Sequence, residues 1–183
     1  MQSSYFKRYF YLFFLSLIWG SSFILMKKSL VVYSYDQVAA LRLFITFIVL
    51  LPFVFRGLKK IQRKHIYPLL IASLFGSGIP AFLFTLAQTY LNSSFVGILN
   101  SLTPLFTFII GACVFKFKVL RSNLIGIFIG LFGALFLSLN SFQGSLEINN
   151  YAYLVVLASV LYAISANVIK NYLSDLEPLV ITA

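Results

Sequence analysis

The sequence is poor in acid. Asp36, Glu147, Asp175 and Glu177 are its only carboxylate side chains among 183 residues, and charged residues of both signs make up 10%. A soluble domain of that length needs far more charge to cover its surface. None of the four lies deep in an apolar block, which excludes a carboxylate proton relay at membrane depth in this segment. One histidine and one cysteine leave no zinc-ligand set and no Ser/His/Asp arrangement. His65 sits at the edge of an apolar block and is assigned no role. Cys113 lies inside an apolar run, forms no internal disulfide and reads as a small packing residue. There is no phosphate loop. No metal, no cofactor and no enzyme chemistry is expected.

What the chain does have is apolar bulk. Hydrophobic residues make up 61%, with 21 Phe and 11 Tyr, and the mean hydropathy is +0.97. The apolar residues fall in blocks at about Tyr9–Met26, Val38–Phe55, Ile66–Tyr90, Ser94–Phe115, Asn123–Leu139 and Tyr151–Ile169. Each approaches the ~20 residues with which a helix crosses a bilayer. They are continuously apolar and do not alternate, so strands are excluded. The predicted fold is all-α, a polytopic transmembrane helix bundle in the lipid bilayer. Lys7 and Arg8 precede the first block as in a signal peptide, but no small-residue cleavage site follows and further spans do.

The 14 basic residues set a direction. All but Lys27, Lys28 and Arg42 fall in loops of one side: Lys7 and Arg8, the run from Arg56 to Lys64, Lys116 to Arg121, and Lys170. Basic loops favour the cytoplasm, so the chain is expected in the cell's inner (plasma) membrane with its amino terminus in the cytoplasm. The net charge of +10 is spread over these loops and makes no continuous soluble face. No nucleic-acid partner is expected. The run from Arg56 to Lys64 is read as a topology determinant that meets anionic headgroups.

The sixth block echoes the first. Laid on one another, they pair Trp19 with Tyr162, Ser22 with Ser165 and Lys27 with Lys170. Further on, Asp36-Gln37-Val38 parallels Glu177-Pro178-Leu179. Five helices separate the start of one unit from the start of the next, and an odd number inverts the second unit relative to the first, as in transporters built from inverted repeats.

At this point the chain resembles the EamA-like family of the drug/metabolite transporter superfamily. The resemblance rests on Trp19-Gly20-Ser21-Ser22-Phe23, on Ala39-Ala40-Leu41-Arg42, and on the stretch from Ala87 to Leu139. That stretch holds Ala87-Gln88-Thr89-Tyr90, Asn100-Ser101-Leu102-Thr103-Pro104, Gly126 and Gly133. It implies two inverted five-helix repeats that export or take up small molecules around a midplane cavity. Residues 1–8 are then a cytoplasmic amino terminus and 9–140 the first repeat. Residues 141–150 form an external loop, and 151–183 the sixth helix and the start of a seventh. On this count the chain is truncated after about six of ten helices. Many family members carry a Glu before the fifth helix where this chain has Phe117 between Lys116 and Lys118, so no role is transferred there.

Several residues are candidates to line the cavity. Arg42 is a charge about one turn inside its span, and two readings stay open: a substrate or headgroup contact, or snorkelling. Asn100 and Pro104 share a helix face, and Pro104 breaks a backbone hydrogen bond there. Gly76, Gly78 and Pro80 interrupt the third span, as a hinge or for close packing. Gln88 lies toward the outer end of that span. Trp19 sits near mid-span, where no interfacial belt explains it. Ser22 follows it, and Tyr162 and Asn167 occupy the matching part of the sixth span, facing the same cavity on the family reading. Gly126, Gly130 and Gly133 are read as a helix-packing stripe without chemistry.

Expected partners are a small-molecule substrate, and either a second copy or a missing carboxy-terminal half. Two alternatives to a transporter of metabolites or drugs stay open. One is a non-transporting truncated subunit or vestigial fragment. The other is a half-size transporter working as a homodimer, which the even number of spans and the charge bias oppose.

Overall fold

The computed structural model describes residues 2–117, 121–141 and 150–183. Among them every regular element is helical. The helices are α1 (Gln2–Ser29), α2 (Tyr35–Gly57), α3 (Arg63–Ser73), α4 (Ile79–Tyr90), α5 (Ser93–Asn100), α6 (Thr103–Cys113), α7 (Arg121–Ser141), α8 (Ala152–Tyr172) and α9 (Pro178–Thr182). Residues 142–149, with Glu147 and most of the expected external loop, lie outside the described residues, as does Lys118.

Five segments are long and apolar enough to cross a bilayer: Lys7–Ser29, Tyr35–Phe55, Arg63–Tyr90, Ser93–Cys113 and Ala152–Tyr172. The chain is thus a multi-pass membrane protein. The remaining expected span falls on α7, whose described apolar stretch is shorter, Ser122–Gly133. Side chains such as Phe13, Ile18 and Phe47 stand exposed on the bundle surface, where hydrocarbon is their solvent.

Two spans are not single α-helices. The third runs α3, a wide π turn at Leu74–Gly78, then α4. Pro80 stands in the first turn of α4, with no N–H to give to the turn before it. The wide turn forms where the sequence places Gly76, Gly78 and Pro80. The fourth span breaks at Ser101–Leu102, between α5 and α6, and Pro104 opens α6. Between these spans the chain turns at Leu91–Asn92, and Asn92 caps α5 by accepting the Phe95 N–H at 2.7 Å. This short turn makes α4 and α5 neighbours.

α8 is the centre of the bundle. It packs along α6, α4, α3 and the π turn. Two contacts fix its depth. Ser165 Oγ donates to the Ala72 carbonyl at 3.0 Å, and a Cβ on Gly76 would collide with the same hydroxyl. Asn167 Nδ2 donates to the Thr107 carbonyl at 3.0 Å, and a Cβ on Gly111 would lie 2.8 Å from Asn167 Oδ1. Small residues thus let the backbones approach, and polar side chains bond across the gap.

The apolar core is divided. The larger cluster gathers Met26, Val38, Phe84, Ala87, Leu91, Val96, Val155 and Ala158 toward the turn at Leu91. The smaller joins Ala72, Leu173 and Leu176 at the opposite end, where the basic loops lie.

Candidate functional site

The larger cluster holds the polar groups of most interest. Phe84 of α4 meets Phe23 of α1 edge-on at 5.9 Å and stacks on Tyr162 of α8 at 5.5 Å. Three helices therefore share one aromatic tier. Arg42 of α2 reaches the same cluster: Nη1 lies 3.7 Å from Met26 Sδ, and Met26 and Tyr162 pack in one apolar cluster. Arg42 as a residue remains exposed. A sulfur contact is weak for a cation, so its donors stay available for a stronger acceptor.

One turn along from Phe84 is Gln88, on the same helix face. Its side chain is fully buried, and neither Oε1 nor Nε2 has a hydrogen-bond partner among the described residues. Buried amides are nearly always satisfied, because an unmet one costs about 1–3 kcal/mol. Gln88 thus presents one donor group and one acceptor within the core. Its backbone is held firmly. Lys27 Nζ donates to the Gln88 carbonyl at 2.5 Å and to the Leu91 carbonyl at 2.9 Å. That ammonium occupies the last carbonyls of α4, where a helix end carries partial negative charge.

The other expected cavity residues are spread out. Asn100 ends α5 and its Oδ1 accepts from Thr103 Oγ1 at 3.2 Å, so it stabilises the break locally. Pro104 is exposed at the start of α6. Asn167 is buried and bonded both to Thr107 and to the Ala163 carbonyl of its own helix, a role in helix docking. Trp19 is 67% exposed on the outside of α1. Ser22 donates to the Trp19 carbonyl within α1. Gly126, Gly130 and Gly133 meet nothing within 4 Å that a Cβ would touch. Arg42 and Tyr162 thus touch members of the larger cluster, and Gln88 follows Phe84 by one turn; Trp19, Ser22, Asn100, Pro104 and Asn167 are exposed or bonded elsewhere.

A groove of about 460 Å³ on the α2 surface is lined by Tyr33, Gln37, Ala40, Leu41 and Phe44. Its one amide, on Gln37, already accepts the Ser34 N–H at 3.1 Å. Among the described residues no three His, Cys, Asp or Glu side chains converge on a metal-sized point.

At the basic end lies a cluster that the sequence did not mark. Lys60 pairs with Glu177 at 2.6 Å and Lys64 with Asp175 at 2.7 Å. His65, assigned no role from sequence, is 2% exposed and has both ring nitrogens in use. Nδ1 accepts the Gln62 N–H at 3.2 Å, capping α3, so Nε2 carries the proton toward Asp175 Oδ2 at 3.1 Å. This tautomer follows from the bonding pattern. The hydrogen bond from Lys64, then that from His65, hold the Asp175 carboxyl below its usual range, at about 2. Signals for this cluster were weak: the partners lie more than a hundred residues apart in sequence.

The sequence matches the family described as the EamA-like transporter family over residues 6–139. It is also 26% identical over 165 residues to a curated protein of Archaeoglobus fulgidus named "Uncharacterized transporter". That alignment covers 90% of this chain and 58% of the relative, so the chain spans little more than half the relative's length. No solved structure matches it.

Proposed function

The chain belongs to the EamA-like transporter family, and on that premise we propose that it carries small metabolites or drugs across the cell's inner (plasma) membrane. It does so as a carrier rather than an enzyme, by alternating access to a cavity at mid-depth. The amino terminus faces the cytoplasm in this reading, supported by the one-sided basic loops.

The observation that carries the proposal is Gln88. A fold that only needed to pack would place an apolar residue in the core between Phe84 and Leu91. An unmet amide kept there, one turn from an aromatic tier, supports a polar solute that visits this place. Tyr162 and Phe84 supply the apolar walls, Gln88 the neutral hydrogen bonds, and Arg42 a cation near the mouth.

Gln88→Leu tests this, because it separates the structural from the functional consequence. It removes both unmet atoms at similar volume. Thermal stability of the purified protein is therefore expected to rise, by about 1–3 kcal/mol. Uptake by proteoliposomes from a labelled mixture of amino acids and nucleobases is expected to fall to the protein-free background. A variant that is stabilised and transports as well as the parent would sink the reading.

A further inference from the structure

Half of the chain's four carboxylates, Asp175 and Glu177, are spent on one small region. They lie in the turn between α8 and α9. Both face the start of the third span: Glu177 meets Lys60, and Asp175 meets Lys64 and His65. Close beneath, Ala72, Leu173 and Leu176 form their own apolar cluster, apart from the main core. Beside it Val180 of α9 presses on Gly57 at the end of α2, where a Cβ would stand 3.1 Å from Val180 Cγ1. The loop after α2 and the turn after α8 are thereby fastened together across the basic end of the bundle.

The quality of the fastening matters. The paired side chains are half or more exposed, 51% and 64% in one pair and 62% and 50% in the other. Ion pairs so placed are worth only about 0.2–1 kcal/mol each. A permanent joint would be buried and apolar, as at Val155 and Ala158. His65 is the exception. It is buried and pinned to the α3 cap, so it holds the receiving side rigid while Asp175 approaches from a turn. One face is preorganised and the other is lightly held. Such a contact forms specifically and releases at small cost.

We propose that Lys60, Lys64, His65, Asp175 and Glu177 form the gate that closes the basic end of the bundle. This rests on the transport reading, in which that end is cytoplasmic and must open once per cycle. Opening parts the α8–α9 turn from the start of the third span. It exposes the apolar cluster around Ala72 and lets α8 move on the Ser165–Gly76 contact.

The test needs no substrate. Full-length protein carrying Cys113→Ser and Ala72→Cys is placed in inside-out vesicles. A membrane-impermeant maleimide then reports how often the cluster opens to the cytoplasmic side. Glu177→Lys is expected to speed labelling about two- to fivefold, and adding Lys60→Glu to restore the original rate. Asp175→Asn is expected to speed it likewise. Recovery in the charge-swapped pair separates gate opening from misfolding, since a merely damaged fold is not repaired by a second substitution. Labelling that ignores Asp175→Asn and Glu177→Lys overturns the gate and leaves the transport reading intact. Labelling that responds, in a protein that moves no metabolite, retains the closing contact and overturns transport alone.

Discussion

α1 and α8, whose sequences can be laid on one another, live in opposite surroundings. Of the most apolar stretch of each span, 6% is buried in α1 and 44% in α8. Their paired residues diverge the same way. Trp19 stands out from the bundle, while its counterpart Tyr162 stacks on Phe84. Ser22 bonds within its own helix, while Ser165 reaches across to Ala72. Lys27 binds the end of α4, and Lys170 lies 4.1 Å over the Phe117 ring. Gly20 meets nothing, and the matching Ala163 is fully buried. The same local pattern thus serves as a lipid-facing wall in one place and as a central post in the other. What differs is the neighbour, not the helix.

Substitution in the two helices should make that contrast quantitative. Tyr162→Ala removes a stacked ring from the core and is expected to destabilise by about 3 kcal/mol. Trp19→Ala is expected to stay within about 0.5 kcal/mol. Equal losses in reversible unfolding from mild detergent would erase the distinction between the helices.

Next in size is the close approach that α8 requires. Gly111→Leu drives a side chain into Asn167 and Phe117 and is expected to destabilise by about 2 kcal/mol. Gly20→Ala, in the open space of α1, is expected to be neutral or to stabilise by up to about 1 kcal/mol. A costly Gly20→Ala would mean that α1 has a close neighbour after all.

Smaller again is the polar link. Asn167→Ala breaks the bond to Thr107 and should lower stability by about 1 kcal/mol. Ser22→Ala only frees a carbonyl that α1 already holds, and is expected to leave stability unchanged.

How much of this was legible in sequence depends on what lipid does to patterning. Span positions were clear: Ile66–Tyr90 was expected and Arg63–Tyr90 is found, and Ser94–Phe115 compares with Ser93–Cys113. The interruptions at Gly76–Pro80 and at Pro104 also fall where the chain breaks. Which face of each span turns inward was not legible. In water an amphipathic stripe marks the buried face, but lipid and core are both apolar, and α1 reads alike all round. Mid-span depth points Trp19 to a cavity and its matching position points Tyr162 there, and only Tyr162 joins the aromatic tier. The gate residues escaped for another reason. Lys60 and Lys64 looked like ordinary basic loop residues, and nothing local announces carboxylates that arrive after α8.

The faintest contrast is one of pH, between the ionic end of α8 and its apolar middle. Asp175 is held at about 2 in the folded protein by Lys64 and His65. Because that value is depressed, its contribution is complete above the ordinary carboxylate range near ~3.9. It is lost as pH falls from there through about 2. Unfolding in detergent scanned from pH 5 to pH 2 should show a downward step in the parent that is missing in Asp175→Asn. Both carrying the same step would assign it elsewhere.

The π turn at Leu74–Gly78 has a rotational meaning. A wide turn takes up one residue more than an α-helical path of the same rise, and each residue of a helix is worth about 100° about its axis. Had the same residues run on as unbroken α-helix, everything beyond Gly78 would sit about 100° further round the axis, and Phe84 would leave Tyr162. The wide turn absorbs that rotation, so it sets the phase in which α4 presents Phe84 and Gln88. Deleting one residue from the turn would restore a plain α-helix and keep that phase, whereas straightening the turn without a deletion would lose it.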